Sequence, residues 1–328
     1  MIDERPAVSV VVPARDAAEH LPDALGSLGR QGPGGTDLGD DLEVVVVDDG
    51  SVDDTARVLE EAGSRFARLR VVRHAAARGV SAARNRGVRE ATGAWVTFLD
   101  PDDWFLPGHL AAMLQASRRH DGVDFLVCDQ VQSYGKERRL VRAPEPRRDV
   151  VLDPRTGIMP TSRSTLVNYV QVSSRFLSRR AVDAGLARFD EGLPTAEDRE
   201  WAWLLLLGAR SYVAVEAPGY VYRRQVAGSL TDIGDARQLG FVDAYGAVLD
   251  RLRAAGLPEY EPKVLRDTLA VTHHHVKRRE AYPRDVWAQL VARANALVAR
   301  FDRDVVAAQA AELGHDRAAV LRRQGVHL

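Results

Sequence analysis

The sequence predicts an α/β protein: a parallel, doubly wound sheet flanked by helices, followed by a smaller all-helical domain. Three observations predict it. Apolar, β-branched runs at residues 8–12 and 42–47 alternate with segments of helical spacing, the pattern of successive βαβ units. Two acidic clusters, Asp48-Asp49 and Asp100/Asp102/Asp103, each follow a run that reads as a strand. From about residue 235 the strand signal stops and only helical periodicity remains.

Residues 8–12 are almost wholly apolar, as expected of a strand buried on both faces, and Pro13 is expected to end it. A helix over 17–28 places Leu21, Leu25 and Leu28 on one stripe, and Gly32-Pro33-Gly34-Gly35 breaks it. Residues 42–47 form a second buried strand; Asp48-Asp49-Gly50-Ser51 then turns into a helix over 53–61. A third strand at 69–72, a helix over 81–90 and a fourth strand at 95–99 complete the alternation. A helix over 110–119 and a strand at 125–128 follow, and 136–160, rich in Arg and Pro, reads as an extended excursion. Residues 197–207 read as a helix, 211–215 and 219–223 as strands. Helical stretches at 241–254, 263–279 and 286–301 form the appendage, so the domains are 1–230 and 231–328.

The chain's 328 residues suit one α/β domain with an appendage, and 45% hydrophobic residues allow a sizeable core. A formal net charge of -1 argues against binding nucleic acid through bulk electrostatics. No apolar run approaches the roughly 18–20 residues that span a bilayer, and the charged N-terminus lacks a signal-peptide core. The single cysteine, Cys128, permits no internal disulfide and reads as a small apolar strand residue, which suits a reducing cytoplasm. A protein of this kind visits a membrane peripherally, at its inner face, if it works there.

Four constellations carry chemistry. In Leu99-Asp100-Pro101-Asp102-Asp103, carboxylates one residue apart at a strand end can hold Mg2+ or Mn2+ through hard oxygen ligands; the same residues also suit a solvated acidic turn. Asp48 and Asp49 can accept hydrogen bonds from a nucleobase or ribose, or cap the following helix. Arg84, in Arg84-Asn85-Arg86-Gly87, offers a planar charged fork for a diphosphate or base carbonyl, or is one of several exposed helix arginines. Glu197 and Asp198 can supply a base at a helix start beside Trp201, or merely complement the helix dipole. In doubly wound sheets ligands bind outside the carboxyl ends of the strands, where both acidic clusters are expected.

In this order and spacing the motifs resemble the family 2 glycosyltransferases, with their GT-A nucleotide-binding fold, over about residues 7–230. Val8-Ser9-Val10-Val11-Val12-Pro13 is similar to that family's opening strand, and Tyr222-Arg223-Arg224 with Gly228-Ser229-Leu230-Thr231 to its loop over the donor phosphates. The resemblance implies a Rossmann-like mixed sheet and an inverting transfer from a nucleotide-diphosphate sugar, usually a UDP-sugar in that family, to an acceptor hydroxyl. It implies that Pro13, Ala14, Arg15, Asp16, Asp49, Arg84 and Asp100 serve the nucleotide. Asp100 and Asp102 would share a Mn2+ or Mg2+ ion, Asp102 the more direct ligand. Arg223, Arg224 and Ser229 would serve the diphosphate, and Asp198 would be the base with Glu197 beside it. Arg15 stands where the family often carries an aromatic residue, and the Gln-x-x-Arg-Trp motif of processive polysaccharide synthases is absent from the sequence. The implied acceptors include a cell-surface polymer, a lipid-linked intermediate and a small molecule.

Other readings fit less well. A nucleotidyltransferase or dehydrogenase needs a glycine-rich phosphate loop after the first strand, where Pro13-Ala14-Arg15-Asp16 stands. A noncatalytic nucleotide-sugar-binding or scaffold protein is opposed by the intact acidic motifs. His273-His274-His275 resembles a metal tract, yet neighbouring helical residues point in different directions. The arginine-rich C-terminal helices suit a solvated or oligomer-forming face.

Overall fold

The computed structural model describes residues 5–224 and 233–328. It divides into two compact units. One comprises Met1–Pro154, Gln171–Glu191 and Leu207–Val226; the other comprises Arg155–Val170, Gly192–Leu206 and Ala227–Leu328. The domain boundary expected at residue 230 lies outside the described residues.

The first unit is built on one mixed sheet. Its first half alternates strands and helices as the sequence predicts: β1 (Val8–Ala14), α1 (Leu21–Leu28), β2 (Leu42–Asp48), α2 (Thr55–Ala62), β3 (Arg68–Arg73), α3 (Val80–Glu90) and β4 (Trp95–Phe98). Strands β3, β2, β1 and β4 lie side by side and parallel, with Val10 opposite Val44 and Thr97. Val8, Val10 and Val12 pack with Leu21, Leu25, Leu28, Val44, Val46 and Leu59 in one buried cluster. β3 is the polar edge, its arginines at 68, 70 and 73 exposed, which discourages further strand pairing.

Two local expectations are corrected. Pro13 does not end β1: pairing with β2 continues through Pro13 opposite Val47 to Ala14 opposite Asp48. Residues 17–20 are not helical; α1 starts at Leu21, with a proline in its first turn, where the missing N–H costs nothing.

Beyond β4 the sheet departs from the parallel pattern. After β5 (Trp104–Phe105), α4 (His109–Arg119), β6 (Phe125–Tyr134) and β7 (Glu137–Val141) comes β8 (Arg175–Ser178), antiparallel to both β4 and β6. The 136–160 excursion therefore begins as a hairpin strand, β7 on β6. The short α5 (Arg179–Asp183) follows β8, and α6 (Glu197–Gly208) leads to β9 (Tyr212–Arg223). β9 is one strand where the sequence suggested two, parallel to β6 with a register shift between Cys128 and Gln130. Cys128 is buried, and burial pushes its thiol up to about 12, which leaves it a packing residue.

The second unit is helical, with α7 (Gly240–Ala254), α8 (Glu261–Val276), α9 (Arg284–Val298), α10 (Arg303–Leu313) and α11 (His315–Arg323). His275 stacks on Phe241 with ring centroids 5.0 Å apart and places Nδ1 2.7 Å from the Tyr282 hydroxyl. Burial, with His274 alongside, pushes His275 down to about 3. Among the described residues, no helix is long and apolar enough to cross a membrane.

Candidate active site

The carboxyl ends of β1 and β2 are stitched together by their own loops. The Asp49 amide donates to the Ala14 carbonyl (2.8 Å), and Asp48 Oδ1 accepts from the Ser51 amide (2.9 Å) while Oδ2 lies 3.2 Å from Arg73 Nε. Gly50 makes this turn possible: its φ is 71°, and a Cβ there would lie 2.8 Å from the Ala76 backbone. Asp16, also left-handed with φ 46°, donates its amide to Ser51 Oγ and accepts from the Val52 amide, both at 2.9 Å. Pro13, Ala14 and Asp16 thus line one braced rim. The exposed Arg15 side chain lies 3.6 Å from Asp16.

Asp49 is buried within this rim. Its Oδ1 accepts from the Arg78 amide (2.9 Å) and its Oδ2 from the Gly79 amide (2.8 Å), and His74 Nδ1 sits 2.7 Å from Oδ1. The carboxylate ties the end of β2 to the loop that starts α3, so Asp48 braces the turn and Asp49 the next loop.

From the first turns of α3, the buried Arg84 extends to Asp100, Nη2 to Oδ1 at 2.9 Å, with its guanidinium 5.3 Å from the Phe189 ring. Asn85 holds that region through both amide atoms, donating to the Phe189 carbonyl and accepting from its amide at 2.9 Å each.

The three acids after β4 have distinct settings. Asp103 is fully buried and accepts from the Tyr220 hydroxyl (2.6 Å) and the Arg223 amide (2.7 Å); burial, with Asp102 and Asp100 nearby, raises its pKa well above the usual carboxylate range. Arg223 donates from Nε to the Asp102 carbonyl (2.7 Å), pairs with Asp23 (2.8 Å) and lies 4.7 Å from the Trp104 ring centroid. Asp102 is half-buried, and burial together with the charge of Asp100 pushes its carboxyl up to about 6. Arg224, just past the end of β9, lies over the Tyr222 ring at 5.1 Å and 3.2 Å from its hydroxyl. Ser229 lies outside the described residues.

Among the described residues, no group of three or more His, Cys, Asp or Glu converges to enclose a metal ion. Asp100 and Asp102 nevertheless fit a cation completed by substrate oxygens. Magnesium-like ions are commonly held by one or two carboxylates plus phosphates rather than an all-protein cage. Among the described residues, Asp102 is also the acid of this group whose carboxylate takes no hydrogen bond or ion pair from another side chain: Asp100 has Arg84, and Asp103 has Tyr220.

Glu197 and Asp198 belong to the second unit, in the first turn of α6. Glu197 is buried and Asp198 half-buried. The residue before them, Ala196, has φ 63°, a conformation that costs a non-glycine residue about 1–2 kcal/mol. Arg199 donates to the Tyr245 hydroxyl and lies within the fields of Asp198 and Asp267.

Sequence reasoning passed over His74 and Tyr220, and named Asn85 and Asp103 within motifs without giving either a role; these four residues hold the predicted ones in place. His74 and Asn85 had weak signals, a polar residue just past a strand and one between two arginines. Tyr220 had none.

A family model described as glycosyl transferase family 2 matches residues 9–184. The uncharacterized glycosyltransferase EpsJ of Bacillus subtilis is 26% identical over 229 residues, covering 70% of this chain and 64% of that protein. The succinoglycan biosynthesis protein ExoU of Rhizobium meliloti is 31% identical over 220 residues, covering 65% and 60%. This chain therefore spans less than two thirds of the length of either. Its fold is similar to that of S. aureus TarS 1-349 crystallised with UDP, with a TM-score of 0.71, 17% identity, and coverage of 98% of this chain and 92% of that one. It is also similar to the mannosyltransferase PcManGT of Pyrobaculum calidifontis in complex with GDP-Man and Mn2+, with a TM-score of 0.52, 21% identity, and coverage of 97% and 87%. The sheet order, with its parallel half and antiparallel turnover at β8, is thus a GT-A arrangement, and the chain belongs to glycosyl transferase family 2.

Proposed function

We propose that this protein transfers a sugar from a nucleotide-diphosphate donor, a UDP-sugar, to an acceptor hydroxyl with inversion, in glycopolymer or other glycoconjugate synthesis. One observation carries the reading: at the rim of a GT-A sheet, Asp102 keeps a half-buried carboxylate that no other described side chain pairs with, beside an Asp100 already paired with Arg84. A solvated acidic turn does not need a buried arginine. Support for the donor comes from the UDP complex of TarS, for manganese from the PcManGT complex, and for glycopolymer synthesis from ExoU.

In this reading Asp49, Pro13, Ala14, Arg15 and Asp16 border the nucleotide, and Arg84 orients Asp100 toward it. Asp100 and Asp102 would hold Mn2+ or Mg2+, which when bound supplies positive charge to the diphosphate. Asp198, with Glu197 beside it, takes the proton of the acceptor hydroxyl. The acceptor oxygen then bonds to the anomeric carbon from the face opposite the diphosphate. The carbon–oxygen bond to the diphosphate breaks, and its electron pair leaves with the nucleotide. Arg223 and Arg224 offset the charge that develops there. Residues 1–230 would carry the donor site and 231–328 a helical domain, in a cytoplasmic enzyme that meets its acceptor peripherally at the membrane.

The test is release of UDP from UDP-N-acetylglucosamine and other UDP-sugars with Mn2+, alongside calorimetric binding of UDP. Asp102→Ala should weaken Mn2+-dependent UDP binding about tenfold or more. Asp198→Asn should lose turnover by about two to four orders of magnitude while UDP affinity stays within about twofold. UDP binding without any Mn2+-stimulated hydrolysis or transfer would instead indicate a noncatalytic nucleotide-sugar binder.

A further inference from the structure

Within the second unit, the segment that carries Glu197 and Asp198 is held in an unfavourable conformation by specific neighbours. Ala196 takes φ 63° although it is not glycine, and its carbonyl accepts the first amides of α6, from Arg199 (3.1 Å) and Glu200 (3.3 Å). Alanine is also a poor residue for this position, because it offers no side-chain oxygen to the free amides of the first turn. Strained, poorly capped backbone persists only where the surroundings over-determine it, and such sites cluster where geometry matters for chemistry.

Those surroundings are specific. Immediately before Ala196, the Thr195 hydroxyl donates to the Arg237 carbonyl at 2.6 Å. Gly240, the first residue of α7, lies so close that a Cβ there would sit 2.6 Å from the Thr195 carbonyl oxygen. Just after Asp198, Arg199 donates to the hydroxyl of Tyr245, one turn further along α7. The buried Asp267 of α8, itself accepting from Asn168 at 2.8 Å, adds an opposite charge to Arg199. The two ends of the short run 195–199 are therefore fixed to α7 and to the 3-10 turn, Ala236–Leu239, just before it, and the strained residue lies between the fixings.

We propose that Thr195, Gly240 and Tyr245 are positioning residues for the Asp198 carboxylate, and that α7 serves as the frame that sets its direction. This rests on Asp198 acting as the base. A catalytic group displaced by about 1 Å can lose on the order of a hundredfold in rate without any change in what the protein binds. The helical unit thereby gains a part in the reaction beyond its own stability.

The experiment measures kcat, KM for UDP-N-acetylglucosamine and calorimetric UDP affinity, with Mn2+, in the full chain. Thr195→Val, which removes the hydroxyl but keeps the shape, and Tyr245→Phe are each expected to lower kcat about tenfold per folded molecule, with UDP affinity within about twofold. Thr195→Ser, which restores the hydroxyl, is expected to recover turnover to within about twofold. Gly240→Ala, which pushes on the Thr195 backbone, is expected to lower kcat the most; circular dichroism sets the folded fraction. If Thr195→Val and Tyr245→Phe lower only the melting temperature and keep kcat, the proposal is overturned. Asp198→Asn measured in parallel separates the two ideas. An active Asp198→Asn removes the base assignment itself, whereas an inactive Asp198→Asn beside fully active Thr195→Val and Tyr245→Phe removes only the positioning role.

Discussion

At the scale of single residues, the site depends on polar groups fixed by backbone amides together with other side chains. Asp49 receives two amides and a histidine, and Asp103 an amide and a phenol, so Asp49 anchors a loop and Asp103 the end of β9. Residue identity at these places was legible; the contact was not, because the amides on Asp49 come from a loop whose path no periodicity specifies and the one on Asp103 from a strand distant in sequence. His109 shows the opposite case, a buried ionisable group outside the acidic cluster. It lies against Phe105, ring centroids 4.8 Å apart, and burial pushes it down to about 4 despite a hydrogen bond with Ala217. In the unfolded chain it titrates near 6.5. The folded protein therefore excludes a proton that the unfolded chain accepts. Stability should be unaffected above pH 6.5, fall as pH drops below it, and level off below about 4. For one group the loss amounts to roughly 3 kcal/mol. Urea melts at pH 7.5, 5.5 and 4.5 check this: in His109→Gln the difference between pH 7.5 and 4.5 should shrink by that order, and an unchanged difference would place the acid sensitivity elsewhere.

Elements were legible where the chain is buried on both faces. The runs at 8–12 and 42–47 became β1 and β2 within two residues at each end, because only a central parallel strand tolerates such unbroken apolarity. β8 escaped notice because its four residues include Arg175, an arginine with 1% exposure in the middle of the sheet. β9 read as two strands because Ala217-Pro218-Gly219 looks like a turn, whereas its ladder with β6 absorbs the break as a shift in register. Gly87 reveals how tightly α3 sits on β1: a Cβ there would overlap Val11 Cγ1. Gly87→Ala should therefore destabilise the protein by about 1–3 kcal/mol, although alanine is the better helix former. Because the clash is with one side chain, Val11→Ala should offset part of it. A double-mutant cycle by chemical denaturation should show a favourable coupling of roughly 1 kcal/mol. Strict additivity would mean that the helix, and not Val11, gives way, with Arg84 one turn earlier displaced as a consequence.

For the whole molecule, the alternation of strands and helices led correctly to an α/β sheet, yet its mixed character came only through the family resemblance, and the place of the turnover, at β8, was not foreseen. Antiparallel insertion depends on a long return from β7, and nothing in local periodicity encodes where a distant segment re-enters a sheet. The same holds for the second unit, which takes in 155–170 and 192–206 as well as the C-terminal helices; no composition shift marks those two segments. The donor reading makes a claim about where ligand effects should appear. If UDP and Mn2+ occupy the rim formed by β1, β2 and β4, amide exchange should slow at 14–18, 48–52, 78–84 and 100–104, the loops whose hydrogen bonds define that rim. A ligand at one hundred times its dissociation constant adds about 2.7 kcal/mol to the state that binds it, enough for about a hundredfold slowing wherever exchange requires release of ligand. Helices α8 to α11 should exchange at their ligand-free rates, since they contribute no residue to the proposed donor site. Hydrogen–deuterium exchange with UDP alone, Mn2+ alone and both together checks this. Protection that appears only with both would tie the cation to the diphosphate, and protection confined to the C-terminal helices would move the nucleotide away from Asp102 altogether.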